Sequence, residues 1–132
     1  MPYIYMVRCK DESLYTGITT DIRRRMQEHG GRKRSGAKYT KSHGLLALEM
    51  VWETDSWSHA AKLEYRIKRL TRKQKEALLL YPEQAGELMA GYPEGAVYVP
   101  RPDLKPAWSI EDQGGAKEHG ETEAAAGFPD GA

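Results

Sequence analysis

The chain opens on alternation. In PYIYMVRC, Tyr3, Tyr5, Val7 and Cys9 fall on one side and Ile4, Met6 and Arg8 on the other, which is the two-residue period of a strand. KDES reads as a polar turn and LYTG as a second short strand, so residues 3 to 17 form a hairpin, antiparallel because the connection is too short for a crossover. The period then lengthens. Thr20 or Asp21 caps a helix over residues 21 to 29, which the Gly30-Gly31 pair stops. GGRKRSGAKYTKSHG is basic and punctuated by glycine, a loop longer than the usual connection and therefore expected to bind something or to move. LLALEMVWE, residues 45 to 53, is a third strand whose apolar content suits a well-covered place in the sheet. Asp55 or Ser56 starts a second helix, SWSHAAKLEYRIKRL, and Thr71 caps a third, RKQKEALLL. After Tyr81 the pattern weakens: PEQAGELMAG reads as a short helix and YPEGAVYVPRP as extended chain.

These elements predict an α+β fold, a small three-stranded antiparallel sheet flanked by helices in the order β-β-α-β-α-α. Residues 1 to 80 form the domain, 81 to 102 an extension on or beside it, and 103 to 132 an acidic Gly/Ala-rich tail. That tail holds too few large apolar residues to offset its ordering entropy, so disorder is expected there.

Composition narrows the function classes. A chain of 132 residues with 39% hydrophobic content builds one core of ordinary size. The single cysteine, Cys9, has no disulfide partner, and His29, His43, His59 and His119 lack the spacing of zinc ligands. No run approaches the ~18 apolar residues of a membrane helix, and MPYIYMVRCKDE has no basic segment ahead of a signal-like core. A cytoplasmic protein without membrane contact is expected; protein partners are not legible. The formal charge of +1 hides an asymmetry: residues 1 to 80 carry 17 Lys/Arg against 9 Asp/Glu, and residues 81 to 132 carry 3 against 10. A basic body on an acidic tail is the footprint of a protein that meets a polyanion.

The helical angles sort the charges. At about 100° per residue, with Ile22 at zero, Met26 falls at about 40°, Arg25 at about 300° and His29 at about 340°. Arg25 and His29 therefore adjoin the buried stripe, whereas Arg23 and Arg24 point to solvent. On the next helix, with Ala60 at zero, Leu63, Ile67 and Leu70 fall at about 300°, 340° and 280°, and Glu64 at about 40°. Charges beside an apolar face are costly unless they are paired, hydrogen-bonded or open onto a cleft. Periodicity leaves two readings open: Arg25 and Glu64 pair with each other across the helices, or both serve a site. Tyr5 and Tyr15 are likewise either packed strand residues or chemical groups.

The ordered set of these residues resembles the GIY-YIG nuclease superfamily. YIY at residues 3 to 5, YTG at 15 to 17, Arg25, His29 and the glutamate of AAKLEYRIKRL follow its motif order over about residues 2 to 80. The likeness is closest to small stand-alone bacterial members and more distant to the nuclease domain of the bacterial excision-repair incision subunit. The resemblance implies that Tyr5 and Tyr15 are active-site tyrosines and that Gly17 permits close backbone approach. It makes Arg25 a phosphate-stabilising cation, His29 a proton carrier or orienter, and Glu64 the ligand of one divalent ion, magnesium or manganese. Arg23, Arg24, Arg32, Lys33, Arg34, Lys38, Tyr39, Lys41 and Lys68 are the candidate nucleic-acid contacts, in the basic loop and on the two helices. Tyr3 stands where the family's first motif has glycine, Thr16 stands where its second has isoleucine, and the chain contains no Asn.

The chemistry suits those roles. Phosphodiester hydrolysis needs an activated water, neutralised phosphoryl oxygens and help for the leaving oxygen. An arginine can fork two bonds to phosphate, and a single carboxylate suits magnesium, which keeps much of its water. A tyrosine base is the difficult part, because forming phenolate at neutral pH costs roughly 4 kcal/mol. The expected function is metal-dependent cleavage of nucleic acid, with DNA the expected substrate; the alternative is a non-catalytic DNA- or RNA-binding protein that retains the fold.

Overall fold

The structure, a computed structural model, describes residues 1–29, 44–89 and 95–107. Its elements run β1 (Tyr3–Cys9), β2 (Leu14–Thr19), α1 (Ile22–His29), β3 (Leu45–Glu53), α2 (Trp57–Lys68), α3 (Arg72–Leu80), a 3-10 turn (Pro82–Gln84), α4 (Ala85–Leu88), β4 (Val99–Pro100) and a second 3-10 helix (Pro102–Ala107). The sheet order is β2-β1-β3-β4, antiparallel throughout.

The sheet therefore has four strands where three were expected. β4 is two residues long, too short to show any period, and forms because Val99 and Pro100 meet Glu53 and Trp52 of β3. Pro100 is tolerated there because an edge strand need not donate from every residue. β2 also runs two residues beyond YTG, with Ile18 and Thr19 pairing Ile4 and Tyr3.

Helix starts follow the local chemistry that predicts them. Asp21 Oδ1 accepts from the Arg24 amide at 3.0 Å, Ser56 Oγ from His59 at 3.1 Å, and Thr71 Oγ1 from Gln74 at 3.1 Å. Gln74 returns a bond to the Thr71 amide, closing a capping box. The Gly30-Gly31 stop of α1 lies outside the described residues.

Two apolar layers enclose the sheet. Ile4, Met6, Met50 and Trp52 pack with Ala60, Leu63 and Ile67 of α2 and Leu78 of α3. On the other face Tyr5, Val7, Leu48 and Val51 pack with Ile22 and Met26 of α1. The faces of β1 are those its alternation predicts, and this central strand is sealed on both sides. The chain after α3 joins both layers. Trp52 Nε1 donates to the Pro82 carbonyl at 2.8 Å, and Tyr98 packs on the larger core. Beyond β4, Leu104 and Ala107 pack on the Tyr5 side. The boundary expected at Asp103 thus falls within an ordered 3-10 helix, and the rest of the acidic tail lies outside the described residues.

Candidate active site

The edge strand β2 is where the two helical layers meet. Across the β1–β2 hairpin Tyr5 stands opposite Gly17 and Val7 opposite Tyr15, so Tyr5, Tyr15 and Gly17 share one face. The Tyr5 ring lies over Gly17: a Cβ there would stand 2.6 Å from Tyr5 Cζ. Glycine is needed at this position for space, since any side chain would displace the phenol.

From α1, two side chains converge on the Tyr5 hydroxyl. His29 Nε2 lies 2.6 Å from it, and Arg25 Nε donates to it at 3.3 Å. Tyr5 and His29 are both 1% exposed. Burial pushes the Tyr5 phenol well above its ordinary range, against the lowering effect of Arg25; Tyr15 and Glu64 add to the rise. Burial, and then the Arg25 charge, lower His29 to about 4. At neutral pH the pair is thus a protonated phenol donating to a neutral imidazole, whose own proton must sit on Nδ1. Burial opposes the charge of Arg25, but its bonds to Glu28 and Tyr5 outweigh that and raise its pKa.

Arg25 and Glu64 each hold a partner within their own helix. Arg25 Nη1 holds Glu28 Oε1 at 2.7 Å, within its own helix, and Glu64 Oε2 holds Lys68 Nζ at 3.1 Å, within α2. Glu64 still acts on the site, since its charge is among those that raise the Tyr5 phenol. Tyr15 links the helices: its ring meets the His29 ring edge-on at 5.5 Å, and Lys68 Nζ stands 5.8 Å from its centroid. The fold therefore gathers Tyr5, Tyr15, Arg25, His29, Glu64 and Lys68, drawn from a hairpin and two helices up to 63 positions apart in the chain. Arg23 and Arg24 are exposed as predicted, and Arg24 leans on Glu28 at 3.8 Å. Arg32, Lys33, Arg34, Lys38, Tyr39 and Lys41 lie outside the described residues. Glu28 was not singled out from the sequence, although its three-residue spacing from Arg25 on a helix is the signal that finds it.

Among the described residues no three His, Cys, Asp or Glu side chains come close enough to hold a metal. The donor set that α2 offers is a single part-exposed carboxylate, Glu64, paired with Lys68 at 3.1 Å, while Glu28 is held by Arg25 on α1. That set fits a cation that keeps most of its own water and takes further oxygens from a bound phosphate, as magnesium does. It does not fit a metal that demands a closed protein shell.

Comparison with known proteins places this geometry in context. The GIY-YIG catalytic domain family matches residues 1–77. A UPF0213 protein of Fusobacterium nucleatum is 46% identical over 81 residues, covering 61% of this chain and 79% of that protein. Another, from Halobacterium salinarum, is 46% identical over 78 residues, covering 59% of this chain and 99% of the relative. The solution NMR structure of a UPF0213 protein from Bacillus halodurans is 41% identical, covers 61% of this chain and 85% of its own, and superposes with a TM-score of 0.41.

Proposed function

This chain belongs to the GIY-YIG catalytic domain family, and on that premise we propose that it is a divalent-metal-dependent endonuclease hydrolysing phosphodiester bonds of nucleic acid, with DNA as substrate. The observation that carries the reading is the Tyr5 hydroxyl bridging Arg25 and His29 beside Glu64. A purely structural hairpin gains nothing from a buried phenol, a neutral imidazole and a guanidinium gathered on one oxygen.

Burial of Tyr5 makes a free phenolate costlier than the roughly 4 kcal/mol of an ordinary tyrosine. The hydrogen bond to His29 removes the need for one. As Tyr5 Oη takes a proton from the attacking water, it passes its own proton to His29 Nε2, and the imidazolium so formed lies near the Glu28 carboxylate. Positive charge then develops on an imidazole that burial disfavours, and the Glu28 carboxylate offsets part of that cost. Arg25 holds its guanidinium beside that oxygen, ready to fork onto the phosphoryl oxygens. Glu64 would hold the divalent ion, and Lys68, 3.1 Å away, orients that carboxylate. When bound, the ion supplies neutralisation of phosphate charge and acidification of water. Substrate backbone is expected along α2 and the basic segment 30 to 43.

One observation favours the alternative, a nucleic-acid-binding protein without turnover: Glu64 is already paired with Lys68. Both readings predict salt-sensitive binding, with a slope of about −0.9 per neutralised phosphate on B-DNA. Turnover separates them. Supercoiled plasmid with magnesium should be nicked by the wild type, whereas Glu64→Ala and Arg25→Ala should fold normally and lose nicking by about a hundredfold or more. Equal nicking by all three proteins would sink the assignment, and no nicking by any would favour the binding protein.

A further inference from the structure

Helix α2 carries more than Glu64. Trp57 and Tyr65 are 52% and 59% exposed, while Trp52 in the adjoining strand is sealed at 0%. Positions 57, 61, 64 and 68 recur at helical spacing, so Trp57 shares a stripe with Glu64 and Lys68, and the small Ala61 lies between them. Tyr65 occupies the next row. Seven residues separate Trp57 from Glu64, about 10 Å along the axis, or about three steps of a stacked nucleic-acid strand. The helix is also basic. Lys62, Arg66 and Lys68 stand against Glu64 as its only acid, and the guanidinium of Arg69, its C-cap, lies over the Tyr65 ring at 5.3 Å.

Exposed aromatics among cations are the composition of a surface that stacks bases while it holds their phosphates. A duplex hides its base faces and would meet only the cations. We infer that α2 is a stacking platform for unpaired nucleobases, with Trp57 and Tyr65 flanking the Glu64 site, so that single-stranded nucleic acid is the preferred ligand. The location of cleavage rests on the nuclease reading above; the stacking itself does not.

The test therefore reads binding without turnover. The full chain, free of divalent ion, is titrated with single-stranded oligo(dT) and with a dA·dT duplex of equal length, following tryptophan emission and affinity. Oligo(dT) should quench the emission. Trp57→Ala and Tyr65→Ala should each weaken oligo(dT) binding about tenfold and duplex binding less than about twofold. Trp57→Phe should keep most of the affinity and lose the quench, a signature that a merely structural role would not give. Unchanged oligo(dT) affinity in both alanine variants, equal weakening of single strand and duplex, or no oligo(dT) binding by wild type would overturn the inference. Absent nicking with stacking intact would overturn the nuclease reading alone, and nicking with aromatic-independent binding would overturn only this one.

Discussion

Arg8 and Arg25 are both partly buried guanidiniums clasped by glutamates, on opposite faces of one sheet, and their surroundings differ. Arg8 donates from Nε to Glu49 at 2.6 Å and forks both terminal nitrogens onto Glu76 at 2.9 Å, while Arg72 holds Glu76 from outside at 2.9 Å. Two arginines meet two carboxylates there, and the network ties α3 to the end of β1. On the other face Arg24 and Arg25 both turn to Glu28, and Arg25 gives its Nε to a phenol oxygen beside a neutral imidazole. The first cluster is balanced and geometrically closed. The second sets a guanidinium beside a phenol and an imidazole, on the face that Tyr15 of the edge strand β2 shares. The kind of partner separates them: carboxylates clamp Arg8, whereas Arg25 also touches a phenol that a neutral imidazole shares.

Exchanging each arginine for lysine breaks the comparison most sharply. Arg25→Lys keeps a charge but loses the planar fork and the Nε bond to Tyr5, and it should lower nicking by about a hundredfold with the melting temperature nearly unchanged. Arg8→Lys loses the bidentate grip on Glu76 and should cost about 2 kcal/mol of stability, several degrees in melting, with nicking per folded molecule preserved. Thermal melts and nicking rates on the same preparations check both. If both variants lost activity and stability in parallel, the two faces would not be functionally separate.

Acid should divide the same two regions. Folded His29 titrates at about 4 against 6.5 for the free group, so between those values the unfolded chain binds a proton that the folded chain refuses. The stability from burying the neutral ring is complete above pH 6.5 and is lost as pH falls toward 4, about 3 kcal/mol in all. Glu76 is lowered as well, for a different reason: its bond to Arg8, and further bonds, bring it from 4.5 to about 2. Its contribution is complete above pH 4.5 and is lost only as pH falls from there toward 2. Urea unfolding across pH 7.5 to 3.5 should show wild-type stability declining from about pH 6.5, and His29→Gln should flatten the upper part of that decline. A wild-type profile flat between pH 6.5 and 4.5 would refute the neutral buried imidazole.

What the sequence made legible follows the same division. Period-two alternation in β1, the caps at Asp21, Ser56 and Thr71, and the sorting of Arg25 from Arg23 and Arg24 are all local, and local rules predicted them. β4 was invisible because two residues have no period; only pairing with Trp52 and Glu53, some 47 positions away, makes Val99 and Pro100 a strand. The 3-10 helix at 102 to 107 was masked by the acidic composition around it, while Leu104 and Ala107 supply its packing. Within the site, helical angles placed Arg25 and His29 beside the core, but angles cannot say which partner a charge takes. The two pairs formed inside their own helices at three- and four-residue spacing, the shorter and entropically cheaper choice than a bridge between α1 and α2.

The smallest expected effect isolates the fold from the site within a single strand. Thr16 lies between Tyr15 and Gly17 on β2, so its side chain points to the opposite face, where Leu14 and Ile18 pack against the larger core. It is buried, and its Oγ1 finds no hydrogen-bond partner among the described residues. A buried hydroxyl without a partner loses its bond to water and gains nothing in return. Valine has nearly the same shape and keeps the β-branch that strands favour, so Thr16→Val should stabilise the protein by about 1 kcal/mol. Nicking and oligo(dT) binding should be unchanged, because valine keeps the shape of the side chain beneath α2 and the Tyr5, Arg25 and His29 cluster lies on the other face. Denaturant unfolding gives the first quantity and the plasmid assay the second; a loss of stability would mean that the hydroxyl has a partner worth more than the methyl, and a loss of nicking would mean that the two faces of β2 are coupled through its backbone.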